Sequence, residues 1–381
     1  MDGGSLWFAN MSLSRRQFFV GGAAAAAGLF GIWHFRAAWR KPTVADRTVI
    51  VGAFQTMDVA SQKRVYSLSL VDSSGSLVRS IPLEFHGHGL ALDPRSSARA
   101  VLFQKKGPGA CELDLVSGRA TRPIETVPAR HFYGHGAFSA DGKSLFATET
   151  VLATKAGLIV VRDASTLAIV GELPSFGAAP HDCQLVDDGR LLAVTNGGGP
   201  LEGEPPNVAF IELASGKLVE KVVIPGTRIN AGHLAYTRTH DLVVVSAPRS
   251  GLLDSEHGGV TVRVHDTAAR TLSEPAATVA RLVGETLSVA VHEPSSLVAT
   301  TTPDAGLLNF WTLGGELVES LELPSPRGVV VTRDQSAFAV SYGPLGELAY
   351  FSTQTRKRLP ERDAAGAHIS GSHLFLWDAP G

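Results

Sequence analysis

The chain has 381 residues, 44% of them hydrophobic and 18% charged, and its 34 basic against 36 acidic residues leave a formal charge of -2. That balance excludes a disordered or fibrous chain. With no long run of one charge sign, it also argues against nucleic acid or anionic lipid as the partner. Two cysteines, Cys111 and Cys183, are too few for a disulfide framework.

The first feature in chain order is Ser14-Arg15-Arg16-Gln17-Phe18-Phe19, followed by a weakly apolar stretch rich in Gly and Ala from Val20 to Trp33. Paired arginines ahead of a mild hydrophobic segment form the twin-arginine export pattern. Residues 1–40 are therefore expected to be a signal peptide or anchor, which places the protein in the periplasm and tethers it to the membrane if uncleaved. Twin-arginine export moves folded proteins, so a metal or cofactor inserted before export fits this route.

From residue 47 onward, runs of four to eight apolar and β-branched residues alternate with Asp-Gly, Ser-Gly and Gly-Gly turn signals, and no sustained helical period follows residue 40. One unit reads Gly136 to Ala140, a turn at Asp141-Gly142, Ser144 to Thr150, a turn near Lys155-Ala156-Gly157, Leu158 to Asp163, then Ala168 to Leu173. Four strands make one small sheet. The same grammar recurs with first-strand markers at 88, 135, 181, 233, 288, 328 and 368, at intervals of 40 to 55 residues. Such spacing belongs to propeller blades. The expected fold is all-β: residues 41–381 form a single seven-bladed β-propeller behind the N-terminal signal or anchor segment. Its last blade is shared by both termini, because ring closure removes exposed sheet edges.

Histidine occupies five of those seven markers: His88, His135, His181, His233 and His368, with Ser288 and Gly328 at the other two. A residue fixed within each repeat lands at one radius of the ring, so these imidazoles are expected at one mouth of the axial channel as metal ligands. His86, His131 and Asp182 stand beside them as supporting residues. Imidazole suits iron or copper, and a nearby carboxylate fixes an imidazole's tautomer. Strict alternation along a strand puts His181 and Cys183 on one side and Asp182 on the other, with Cys183 either a sulfur ligand or a small buried hydrophobe. The competing reading gives the histidines a structural role within their own blades, as in WD-type propellers. There the partner is a Trp ending the third strand, and here Trp is available for that only at Trp311 and Trp377.

The stretch Arg130-His131-Phe132-Tyr133-Gly134-His135-Gly136, continuing into AFSADGKSLFATE, with later TNGGG and GHLA, resembles a bacterial family known only as domain of unknown function 1513. The resemblance implies a twin-arginine-exported, WD-like propeller whose partners are periplasmic iron-handling proteins of imelysin-like and di-haem peroxidase-like type. The axial histidine ring is also similar in architecture to the copper-cluster domain of nitrous oxide reductase, although no cupredoxin-like segment follows residue 368.

Motifs of serine hydrolases, zinc proteases, P-loops and dinucleotide folds are missing from the sequence. Two alternatives to metal handling stay open. One is a calcium-dependent lactonase-like hydrolase using Glu149, Asn196 and Asp304 near second-strand ends. The other is a protein-interaction scaffold with structural histidines. A binding protein is favoured over an enzyme.

Overall fold

Runs such as Leu191–Asn196 and Leu242–Ser246 are buried at every position, as expected of strands covered on both faces by neighbouring sheets. Outer runs such as Lys217–Val223, with charges at Lys217, Glu220 and Lys221, are exposed along most of their length. The structure is a computed structural model that describes residues 48–380 apart from 254 and 266. The expected export segment lies outside the described residues.

The strands group into seven antiparallel sheets, six of four strands and one of three. These are the blades of a propeller. The innermost strands are Gly87–Leu92 in blade 1, Arg130–Phe138 in blade 2, Pro180–Val186 in blade 3 and Leu234–Tyr236 in blade 4. Ser288–His292, Val329–Val331 and Phe375–Asp378 follow in blades 5, 6 and 7. Apolar clusters join each blade to the next. Between blades 1 and 2, for instance, Val101 and Phe103 pack with Phe132, Phe138 and Leu145, and the Phe103 and Phe132 rings meet edge to face at 5.6 Å.

Blade 7 is built from both ends of the described chain. Its innermost strand pairs antiparallel with Thr48–Asp58, in the register Val49 with Trp377 and Val51 with Phe375, and Lys63–Val71 and Leu77–Leu83 complete the sheet. Trp377, 2% exposed, fills the core formed by Val49, Val51 and Leu68. It therefore belongs to an innermost strand and not to the third-strand position considered from sequence, which Trp311 does occupy.

Six of the seven sequence markers fall within, or one residue ahead of, an innermost strand. The seventh does not. The strand of blade 7 begins at Phe375, and the histidine that stands close ahead of it is His373, two residues before, whereas His368 lies seven before. Truncating Trp377 removes the largest buried side chain of the closing strand. Trp377→Ala should lower unfolding stability by about 3–5 kcal/mol, read as a shift in the urea midpoint, and a shift below about 1 kcal/mol would contradict closure through this strand.

Candidate metal centre

In blades 1, 2 and 3 the marker histidine sits where the innermost strand slips register against its neighbour. The irregularities run between Gly87 and Leu90, Phe132 and Gly136, and Pro180 and Cys183, and they contain His88, His135 and His181. A bulge breaks the strict up-and-down alternation and re-aims a side chain. This corrects the alternation expected around residue 182. His181 reaches the axis, and Asp182 also turns inward, placing Oδ1 3.3 Å from His135 Nδ1 while Oδ2 accepts the Leu234 N–H at 3.1 Å. Asp182 thus ties blades 2, 3 and 4 together.

The imidazoles are held from outside the ring. His181 Nδ1 donates to the Tyr133 carbonyl of blade 2 at 3.1 Å, and His233 Nδ1 donates to the Leu287 carbonyl beside blade 5 at 2.5 Å. A carbonyl only accepts, so Nδ1 carries the proton in both rings and Nε2 presents its lone pair to the axis. There the Nε2 atoms crowd together: His181 to His233 at 2.8 Å, His233 to His373 at 2.9 Å, and His88 to each of His181 and His233 at 3.4 Å. Around His88 the other four ring centroids, including that of His135, lie within 5.4 Å. The Nε2 of His135 is buried with no hydrogen-bond partner.

Five imidazoles on five successive blades, 7 through 4, therefore converge, and Ser288 and Gly328 complete the circle. Ser288 Oγ accepts the Val329 N–H at 3.3 Å. A Cβ on Gly328 would come within 2.8 Å of the His373 carbonyl carbon, so backbone occupies the space a side chain would need. Gly134 has a similar role beside His88: its φ of +127° disfavours any side chain, and a Cβ there would stand 2.5 Å from His88 Cδ2. Gly89 and Gly134 are what let the His88 and His135 rings lie side by side.

Electrostatics keeps these rings neutral. Burial, with smaller contributions from Lys105 and neighbouring imidazoles, brings His135 and His233 down to about 3. His88, His181 and His373 are held well below the ordinary histidine value by burial first, and then by Lys105 for His88 and by His233 for the other two. Burial raises the Asp182 carboxyl, against the opposing pull of His233 and the Leu234 N–H.

Two cavities flank the cluster. One of about 460 Å³ lies along the downstream halves of the innermost strands and is walled by Leu90, Phe138, Leu185 and Phe375, with His135, His233, His373 and Asp182 reaching it. The other, of about 500 Å³, opens where the innermost strands begin and is polar, lined by Lys105, Tyr133, His181, Asn230, Glu285 and Asp304 among others.

The remaining sequence-derived candidates fall elsewhere. His368 is not one of the convergent rings: its ring packs edge-on against Phe54 at 5.2 Å, and its carbonyl accepts the Ser69 hydroxyl at 2.6 Å. The residue that takes its place, His373, carried a legible signal, since His373-Leu374 matches His233-Leu234 and stands a more regular 45 residues after Gly328. His86 lies beside Tyr66, brought down to about 4 by burial and by Arg327 and Lys105, and is separate from the five-ring cluster. His131 pairs with Thr150 near the start of its strand and lines neither axial cavity. Cys183 is buried among Phe146, Ile159 and Leu192 with its thiol pushed well up, the behaviour of a small core hydrophobe.

Glu149, Asn196 and Asp304 have three separate surroundings. Glu149 faces Arg162 at 3.6 Å, Asn196 is bonded to Ser175 and Asn207, and Asp304 lines the polar cavity.

A model of one protein family matches residues 81–374. The chain belongs to the family described as Protein of unknown function (DUF1513). No curated protein matches the sequence significantly. Among solved structures the chain is similar to Kuenenia stuttgartiensis Hydrazine Synthase, with a TM-score of 0.62 and 14% identity over 80% of this chain and 96% of that one. At that identity the likeness shows the propeller fold alone.

Two outcomes follow from this geometry. Gly134→Ala should cost about 1–3 kcal/mol in a urea titration, because it adds both a strained φ and a collision with His88. The second concerns pH. Folding lowers His135 and His233 from 6.5 to about 3, so the unfolded chain binds more protons between those values. Their contribution is complete above about pH 6.5 and is lost as pH falls toward about 3. Metal-free protein should show a clearly lower urea midpoint at about pH 5 than at about pH 7.5, and His135→Gln should flatten that dependence.

Proposed function

We propose that this chain is an exported periplasmic propeller that binds a transition-metal ion, iron or copper, through its axial histidines. It acts in metal handling, as a binding or delivery component more than as an enzyme. The observation that carries the reading is the meeting of lone pairs. Nitrogens of His181 and His233 that both present lone pairs 2.8 Å apart repel one another unless a cation lies between them. A proton is a poor candidate at neutral pH, because both imidazoles are held far below their ordinary value. A metal ion shared by His88, His135, His233 and His373 satisfies those nitrogens at once, with His181 Nε2 against His233.

The spacing also favours one ion over a cluster. Nitrogens bound to a single ion at about 2.0–2.1 Å stand about 2.9–3.4 Å apart, close to the 2.8 to 3.4 Å separations among His88, His181, His233 and His373. His88, His135, His233 and His373 each offer a nitrogen within 4.8 Å of the others. Asp182, on His135 Nδ1, has the position of a carboxylate that orients a ligating imidazole. Neutral nitrogen donors suit iron or copper and are wrong for calcium, which takes oxygens. Twin-arginine export, read from residues 14–33, supports a protein that folds around its metal before leaving the cytoplasm. The family resemblance supports imelysin-like and di-haem peroxidase-like proteins as partners.

Protein purified with its export signal should carry close to one equivalent of iron or copper by elemental analysis. His233→Ala, and the pair His135→Ala with His181→Ala, should lose that metal while keeping the β-sheet circular dichroism of the parent. Asp182→Asn should retain the site but bind the metal about 10–100-fold more weakly in competition with a chelator. Stoichiometric metal that survives His233→Ala would overturn the assignment.

A further inference from the structure

The polar cavity has a cationic character that the histidines cannot balance. Lys105 follows the second strand of blade 1, Arg99–Gln104, and reaches across the mouth toward Glu285, which precedes blade 5 on the opposite side, with Nζ 3.8 Å from Oε1. Its ammonium is close enough to act on all five axial imidazoles. Arg327 stands one residue before Gly328, at an axial position with no side chain, and its Nε is buried with no hydrogen-bond partner. Opposing these charges are Glu285 and Asp304 at the mouth and Asp182 beyond the cluster.

With neutral imidazoles as donors, a divalent ion together with Lys105 and Arg327 carries more positive charge than Glu285, Asp304 and Asp182 neutralise. Lys106, exposed to solvent, and Arg249, which keeps its charge while donating to the carbonyls of Gly198, Pro200 and Glu204, line the same cavity and add to that surplus. Positive charge placed among the buried rings of His88, His135, His181 and His233 is costly, and an anion beside it at the polar mouth reduces that cost.

We infer that the polar cavity takes a small carboxylate, seated between Lys105 and the metal ion of the histidine cluster. This inference rests on the metal reading above. The cavity, at about 500 Å³, has room for an organic acid beyond the coordinating group, and Tyr133 and Asn230 on its wall offer further hydrogen bonds. The opposite cavity, walled by Leu90, Phe138 and Phe375, offers an anion no cationic side chain. An incoming anion thus approaches from the Lys105 side, where it exchanges the long Lys105 to Glu285 contact for a charge-assisted bond of its own.

Copper(II) serves as the visible probe metal and azide as the probe anion. Full-length protein loaded with copper(II) should develop a saturable azide-to-copper charge-transfer absorption, and acetate should compete it away. Lys105→Met should weaken azide binding by about tenfold or more, the value of one charge-assisted hydrogen bond, at unchanged copper content. Lys106→Met should leave azide affinity as in the parent. Bound copper with no azide band, an equal azide affinity in Lys105→Met, or failure of acetate to compete would each overturn the carboxylate site while leaving the metal reading intact. Protein that binds no copper would overturn the metal reading itself.

Discussion

The arrangement of this molecule depends on imidazoles that donate outward and face inward. When His181 and His233 give their Nδ1 protons to carbonyls beside the neighbouring blades, each ring loses its freedom to rotate and its Nε2 is committed to the axis. Blade-to-blade packing and site geometry therefore rest on the same bonds. Thr148 and Thr195 reinforce this from the second strands, bonding the carbonyls of His181 and Gly232 in the next blade. Displacement of one blade would shift an imidazole, and displacement of an imidazole would release a buried carbonyl.

Convergence of neutral nitrogens has a cost that the rest of the site must offset. Buried polar atoms without partners are uncommon because each forfeits its bonds to water, yet His135 Nε2 is one, and several lone pairs meet around His233. Such a packed meeting of nitrogens is an arrangement that could hold a metal ion. The bulges that carry His88, His135 and His181 belong to the same design, since a regular pleat would have sent Asp182 away from the channel.

The two ends of the cluster differ in kind. Apolar side chains shield one side and leave Asp182 as its single carboxylate link. On the other side, Lys105, Glu285 and Asp304 form a charged approach. This asymmetry gives the channel two unlike ends, a polar, charged mouth on one side of the cluster and an apolar cavity on the other.

Much of this was legible in the sequence. The turn signals and the 40 to 55 residue spacing determined seven blades, and the Gly-His pairs determined that imidazoles share a radius, because a repeat fixes position within each unit whatever the surroundings. The last histidine escaped this logic. Blade 7 has its strands at opposite ends of the chain, so its register is decided by pairing of Phe375–Asp378 with Thr48–Asp58 and not by counting from the previous marker. Likewise, only the folded ring decided that His86 and His131 stand apart from the cluster, that Asp182 turns inward at a bulge, and that Lys105 reaches the axis from a second strand. Local sequence carries strand period and repeat phase, whereas side-chain convergence depends on backbone irregularities and on contacts between residues more than a hundred positions apart.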